Sequence, residues 1–164
     1  MNREHIMLEL TSWLVNFVEV PNPLLGDWAP CPYARSARIN NQIEIVFADS
    51  KELDIAVEQA LPALENKDVI IICFDHTHIQ SISVEKLVEK INENLMPQNY
   101  VVLEDHPDRA ELVNTVSMNF GKCGLLLVQK LSKLNAASNQ LKQKGYYDNW
   151  SSESLDYVVS WRNR

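Results

Sequence analysis

Three apolar runs in this chain each end in a cluster of titratable side chains. "IEIVFADS" ends near Asp49, "VIIICFDHTH" at Asp75, His76 and His78, and "VVLEDHPD" at Glu104, Asp105, His106 and Asp108. Imidazoles with carboxylates are the donor set of a zinc or non-haem iron(II) site, and equally the groups that move protons in acid–base catalysis. Residues two apart on an extended segment share a face, so His76 and His78 are expected to reach one ion. Asp75, Asp105 and His106 would add ligands, or carboxylates that fix the tautomer of a ligating imidazole. The plainer alternative is that polar residues stand at strand ends because strands end at the surface. An acid–His pair at two separate strand ends favours a functional edge, and leaves metal-bound and metal-free chemistry both open.

A second reactive group is Cys31, in "GDWAPCPYARSAR". Pro32 suits the first position of a helix, which makes Cys31 the N-cap. Free N–H groups and the helix dipole would then face the sulfur and lower its pKa. Arg35, one turn on, adds positive charge; it and Lys122 are the cations expected to bind a cofactor. Lys122 lies in "NFGKCG", ahead of an expected helix whose N-terminus would hold an anion. The full phosphate-loop pattern is absent there. The alternative for Cys31 is a small buried side chain in a rigid loop. Cys73, inside "VIIICF", reads as core, and Cys123 fits either role.

These groups need a frame. Ile6, Leu10, Trp13, Leu14, Phe17 and Val18 recur at helical spacing, and Pro21 and Pro23 end that helix. "ARINNQIEIVFA" reads as a hairpin turning at Asn40-Asn41, with a strand at Ile43, Ile45 and Phe47. Asp49 and Glu52 read as a capping box for a helix that Pro62 shortens. "DVIIICFD" suits a strand buried on both faces. A helix capped by Ser83 and a strand, "YVVLED", follow. "GLLLVQKLSKLNAASNQLKQKG" reads as the longest helix, stopped by Gly145; Ser152 caps a closing helix. Strands alternating with helices predict one α/β domain over residues 1–164. Its sheet is expected to be three- to four-stranded, largely parallel and built from βαβ units, under an N-terminal helix and two C-terminal ones. In such a sheet the strand C-terminal ends share an edge, where ligands bind.

Two resemblances bear on Cys31. "CPYA" at 31–34 is similar to the Cys-Pro-Tyr-Cys site of glutaredoxins, with Ala34 in place of the second cysteine and without that family's Thr-Val-Pro segment. More of the chain, residues 10 to about 135, resembles bacterial domains of unknown function. Their N-terminal helix leads into Cys-Pro-Phe-Ala, a later strand ends in His-Pro-Asp, and an Asn-Arg-Ser-Pro-like segment opens a helix. "CPYA", "HPD" at 106–108 and "NFGKCGLLLVQ" at 119–129 stand in that order here. The resemblance implies a shared site of Cys31, His106 and Asp108; Phe120, Gly121 and Lys122 replace its Arg-Ser-Pro part.

The net charge of −7 (15 basic against 22 acidic residues) argues against nucleic acid or anionic lipid as partner. Three cysteines without a CxxC pair fit a reducing, cytoplasmic setting. The N-terminal segment lacks the features of a signal peptide, and no apolar run is long enough to span a bilayer. The expectation is a small enzyme acting on a small molecule at the shared strand edge, with zinc or iron as candidate cofactor. A domain that binds a protein partner, or a thiol protein using Cys31 with His106 as base, are the alternatives. Oligomeric state stays open.

Overall fold

Val69–Phe74 is apolar throughout, and it forms an inner strand packed on both faces. In the computed structural model, which describes residues 1–164, it is β2 of a four-stranded sheet. The chain order is α1 (Arg3–Trp13), α2 (Ala34–Ile39), β1 (Ile43–Ala48), α3 (Leu53–Ala60), β2, α4 (Ser81–Leu95) and β3 (Tyr100–Asp105). A two-stranded ribbon, β4 (Leu112–Val113) and β5 (Val116–Ser117), precedes β6 (Gly124–Lys130), α5 (Leu131–Gln143) and α6 (Ser152–Val158). No helix is long and apolar enough to cross a membrane.

The sheet order is β1-β2-β6-β3. β1 pairs parallel with β2, and β6 pairs antiparallel with both β2 and β3. The fold is α/β as expected, but the sheet is mixed rather than largely parallel. The difference comes from Gly124–Lys130, which is a strand and not the first half of a long helix; α5 starts only at Leu131. A short apolar run carries no period of its own, and this one pairs its backbone on both sides. Because β2 and β3 both oppose β6, β1, β2 and β3 still run the same way. Their C-terminal ends therefore share one edge, joined there by the start of β6.

Several local expectations change. Residues 34–39 are helix, so Asn40-Asn41, with Asn41 at φ 55°, turns a helix into a strand and makes no hairpin. Asp49 accepts from the N–H of Lys51 instead of capping α3, whose N-cap is Glu52. Gln80, not Ser83, is the N-cap of α4. α1 gives way over Leu14–Val18 to a π-helical turn. Pro62 ends α3 in a 3-10 turn, and Gly145, at φ 83°, stops α5.

α3 and α4 cover one sheet face, where Leu53, Val57, Val84 and Val88 pack on Ile70, Ile72, Phe74, Val102, Leu126 and Val128. Gly124 belongs to that contact: a Cβ there would run into the ring of Phe74. α4 also holds the outer edge of β3. The Asn92 amide donates to the carbonyl of Val102 at 2.8 Å and accepts from its N–H at 2.8 Å, all of it buried. On the second face, α1 packs Ile6 and Leu10 against Ile71, Cys73 and Leu125.

Candidate functional site

Alternation along the strands puts Ile71, Leu127 and Leu103 in one row of the second face, and Cys73, Leu125 and Asp105 in the next. Toward β6 and β3 this face borders a cavity of about 1180 Å³. Protein interiors leave few voids larger than a water molecule, and ligand pockets run to roughly 300–1,000 Å³. The space is therefore of ligand size. Leu134 and Leu141 of α5, with Tyr146, Tyr147 and Trp150 after it, form much of the opposite wall.

Asp105, the last residue of β3, carries a buried carboxyl into this space. It accepts from the Phe120 N–H at 2.8 Å and from the Asn119 amide at 2.7 Å. Burial pushes its pKa up, against those two hydrogen bonds. Asn119 also donates to the carbonyl of Arg109 at 2.9 Å and accepts from the Glu111 N–H at 2.8 Å. One amide thus clamps the loop from residue 106 to 119, and the clamp seats Glu111 on the cavity wall. Burial, reinforced by the Asp105 charge, raises the Glu111 carboxyl from 4.5 to about 7, although the Tyr157 hydroxyl donates to it at 3.2 Å. Arg109 pairs with Glu85 at 2.6 Å and lies over the Tyr157 ring, 5.3 Å from its centroid. A carboxyl titrating near neutrality beside a second carboxyl, in a largely apolar space, is the arrangement that acid–base chemistry requires.

Cys31 lines the same cavity and is reached by solvent there. The N–H groups of Tyr33 and Ala34 do point at its sulfur, but the thiol pKa is raised, not lowered. Crowding by the cavity wall outweighs the two N–H groups, and the nearby charge is Glu19, held by Arg38 at 2.6 Å. The helix starts at Ala34 with Tyr33 as N-cap, and Arg35 faces solvent. A thiol reagent should therefore modify only one of the three cysteines in the native protein, slowly at neutral pH and at a rate still climbing past pH 9.0, the ordinary thiol value. Cys73 and Cys123 are buried free thiols hydrogen-bonded to each other, and should react only on unfolding. Rapid labelling of two or three thiols would contradict this placement.

The histidines are arranged differently from the sequence expectation. His76–His78 is a 3-10 turn, so the shared extended face for His76 and His78 does not form. Asp75 caps that turn, accepting from the Thr77 N–H and hydroxyl at 3.1 and 2.7 Å. His106 is buried and packs edge-on against His76, with ring centroids 5.7 Å apart. Its Nε2 donates to the Ile79 carbonyl at 3.0 Å, and its Nδ1 accepts from the Asp108 N–H at 3.2 Å. Both ring nitrogens are engaged, which makes His106 a brace between β3 and the turn after β2. The Asp108 carboxylate is largely exposed. No group of three or more His, Cys, Asp or Glu side chains is placed to hold a metal ion. Lys122 is exposed, 4.0 Å from Glu9, and precedes β6, so no helix N-terminus adjoins it.

Of the residues singled out in the sequence, Cys31, Glu104 and Asp105 border the cavity; Asp49, His76, His78, His106, Asp75, Asp108, Arg35 and Lys122 do not. Glu111, Asn119 and Tyr157 carried no sequence signal, since their environments come from segments far apart in the chain. The chain matches no protein-family model, no curated protein and no solved structure.

Proposed function

We propose that this chain is a small enzyme that moves a proton on a largely apolar organic substrate bound in the cavity, on the second face of the sheet beside the end of β3. Glu111 is the acid–base group. Asp105 keeps its proton affinity high, and Asn119 positions both. The observation that carries the reading is the Glu111 carboxyl, raised to about 7 on the wall of this cavity. A group half ionised near neutral pH both takes and returns a proton efficiently. Cys31, a neutral thiol on the same wall, is a further contact for substrate.

The test incubates the protein with the low-molecular-weight fraction of a cell extract and follows every compound by mass spectrometry. At least one compound should be converted, at a rate with an inflection near pH 7. Glu111→Gln should slow that conversion by about a hundredfold or more. No conversion of any compound, or equal conversion by wild type and variant, would overturn the reading.

A further inference from the structure

Arg162, in the 3-10 turn Ser160–Asn163, borders the same cavity and is 4% exposed. Its Nη2 donates to the Ser138 hydroxyl at 2.9 Å. Nε and Nη1 find no acceptor in the chain. Arg38, Arg109 and Arg164 each pair with a carboxylate, at Glu19, Glu85 and Asp156. Arg162 has no such partner, and as a guanidinium it does not shed its proton to escape the penalty of burial.

A second donor stands on the same wall. Trp150 Nε1 is buried without an acceptor. Tyr147 links the two: its ring meets Trp150 edge-on at 5.1 Å, and its hydroxyl lies within electrostatic reach of Arg162. The wall thus offers N–H groups lacking acceptors, and its complement is a group that only accepts. Around them Tyr33, Leu134, Leu141 and Tyr146 supply aromatic and aliphatic surface. Arg109, Lys130 and Lys133 also border the space but pair with Glu85, Glu65 and Asp68, so Arg162 is its one cation without a carboxylate partner, and it matches a single negative charge but not a double one.

We propose that the cavity binds organic monocarboxylates with an aromatic or aliphatic body, the carboxylate pairing with Arg162 beside Ser138. This names the ligand class of the cavity in the reading above; it rests on ligand binding there and not on proton transfer by Glu111.

The experiment loads the full chain with the neutral dye N-phenyl-1-naphthylamine and displaces it with 2-naphthoate, 2-naphthamide or 2-naphthyl phosphate. Naphthoate should displace the dye at about tenfold lower concentration than the amide, as a charge-assisted hydrogen bond implies, and the phosphate should do no better than the amide. Arg162→Met should erase the preference while the dye still binds, Arg162→Lys should keep part of it, and Ser138→Ala should reduce it. Should Arg162→Met fail to fold, the lysine and Ser138 variants decide. Equal displacement by acid and amide, a preference that survives these variants, or tighter binding of the phosphate would each overturn the proposal. In the first two cases the dye still occupies the cavity and the proton-transfer reading stands. A dye that does not bind at all would overturn both.

Discussion

Replacing Asn92 with leucine is expected to lower the free energy of unfolding by about 3 kcal/mol. β3 is an outer strand of the sheet, and Val102 sits at its middle with both backbone groups pointing away from β6 toward the Asn92 amide. Leucine keeps the branched shape but supplies neither donor nor acceptor. A buried N–H and a buried carbonyl are then left unpaired, at about 1–3 kcal/mol each. Partial access of water at the sheet edge keeps the total toward the lower end of that sum. For a chain of this size the loss corresponds to a fall in Tm of about 6–12 °C. Urea titration monitored by circular dichroism measures it. An uncovered edge strand is also a template for pairing with another chain, so the variant should aggregate sooner on heating. A midpoint unchanged from wild type would mean that the Asn92–Val102 pair is not part of the stability of β3.

Glu111→Gln is expected to stabilise the protein in mild alkali and to leave it unchanged in acid. The folded-state pKa of Glu111, about 7, lies above its ordinary value of 4.5. Between those two values the folded chain holds a proton that the unfolded chain has released, so stability falls as pH rises through this window. The full loss, reached above pH 7, is about 3 kcal/mol. Glutamine keeps an oxygen for the Tyr157 hydroxyl and removes the charge, so the loss disappears. The difference between variant and wild type should be near zero at pH 4, grow through neutrality and level off by pH 8. Asp105, whose pKa is also raised, should titrate more easily once the Glu111 charge is gone. A stability difference independent of pH would show that the Glu111 carboxyl titrates normally, and the proposed acid–base role would fall with it.

Patterns that one element satisfies by itself were legible in the sequence. The spacing of Ile6, Leu10 and Trp13 marked α1, and the unbroken "VIIICF" marked β2. The shared edge of β1, β2 and β3 followed from their alternation with helices. "GLLLVQK" was not legible as a strand, because seven residues do not separate a period of two from one of 3.6 when a helix follows directly. Its strand character depends on β2 and β3 lying on either side. The site divided along the same line. Cys31 and Asp105 stand at punctuated positions, after a proline-rich loop and at a strand end. Glu111 owes its raised pKa first to burial by residues far away in the chain and then to the Asp105 charge, and the isolation of Arg162 depends on which carboxylates are absent around it. The histidines misled because a 3-10 turn, not an extended segment, follows β2.

β6 occupies an inner place in the sheet although it is the last strand to be made. Until residue 130 is available, β1 and β2 form one hydrogen-bonded pair and β3 has no strand partner at all. Chain growth therefore cannot extend this sheet outward one strand at a time. Its closing event is an insertion between two waiting pieces, and the row of Ile71, Leu127 and Leu103 that floors the cavity comes into being only then.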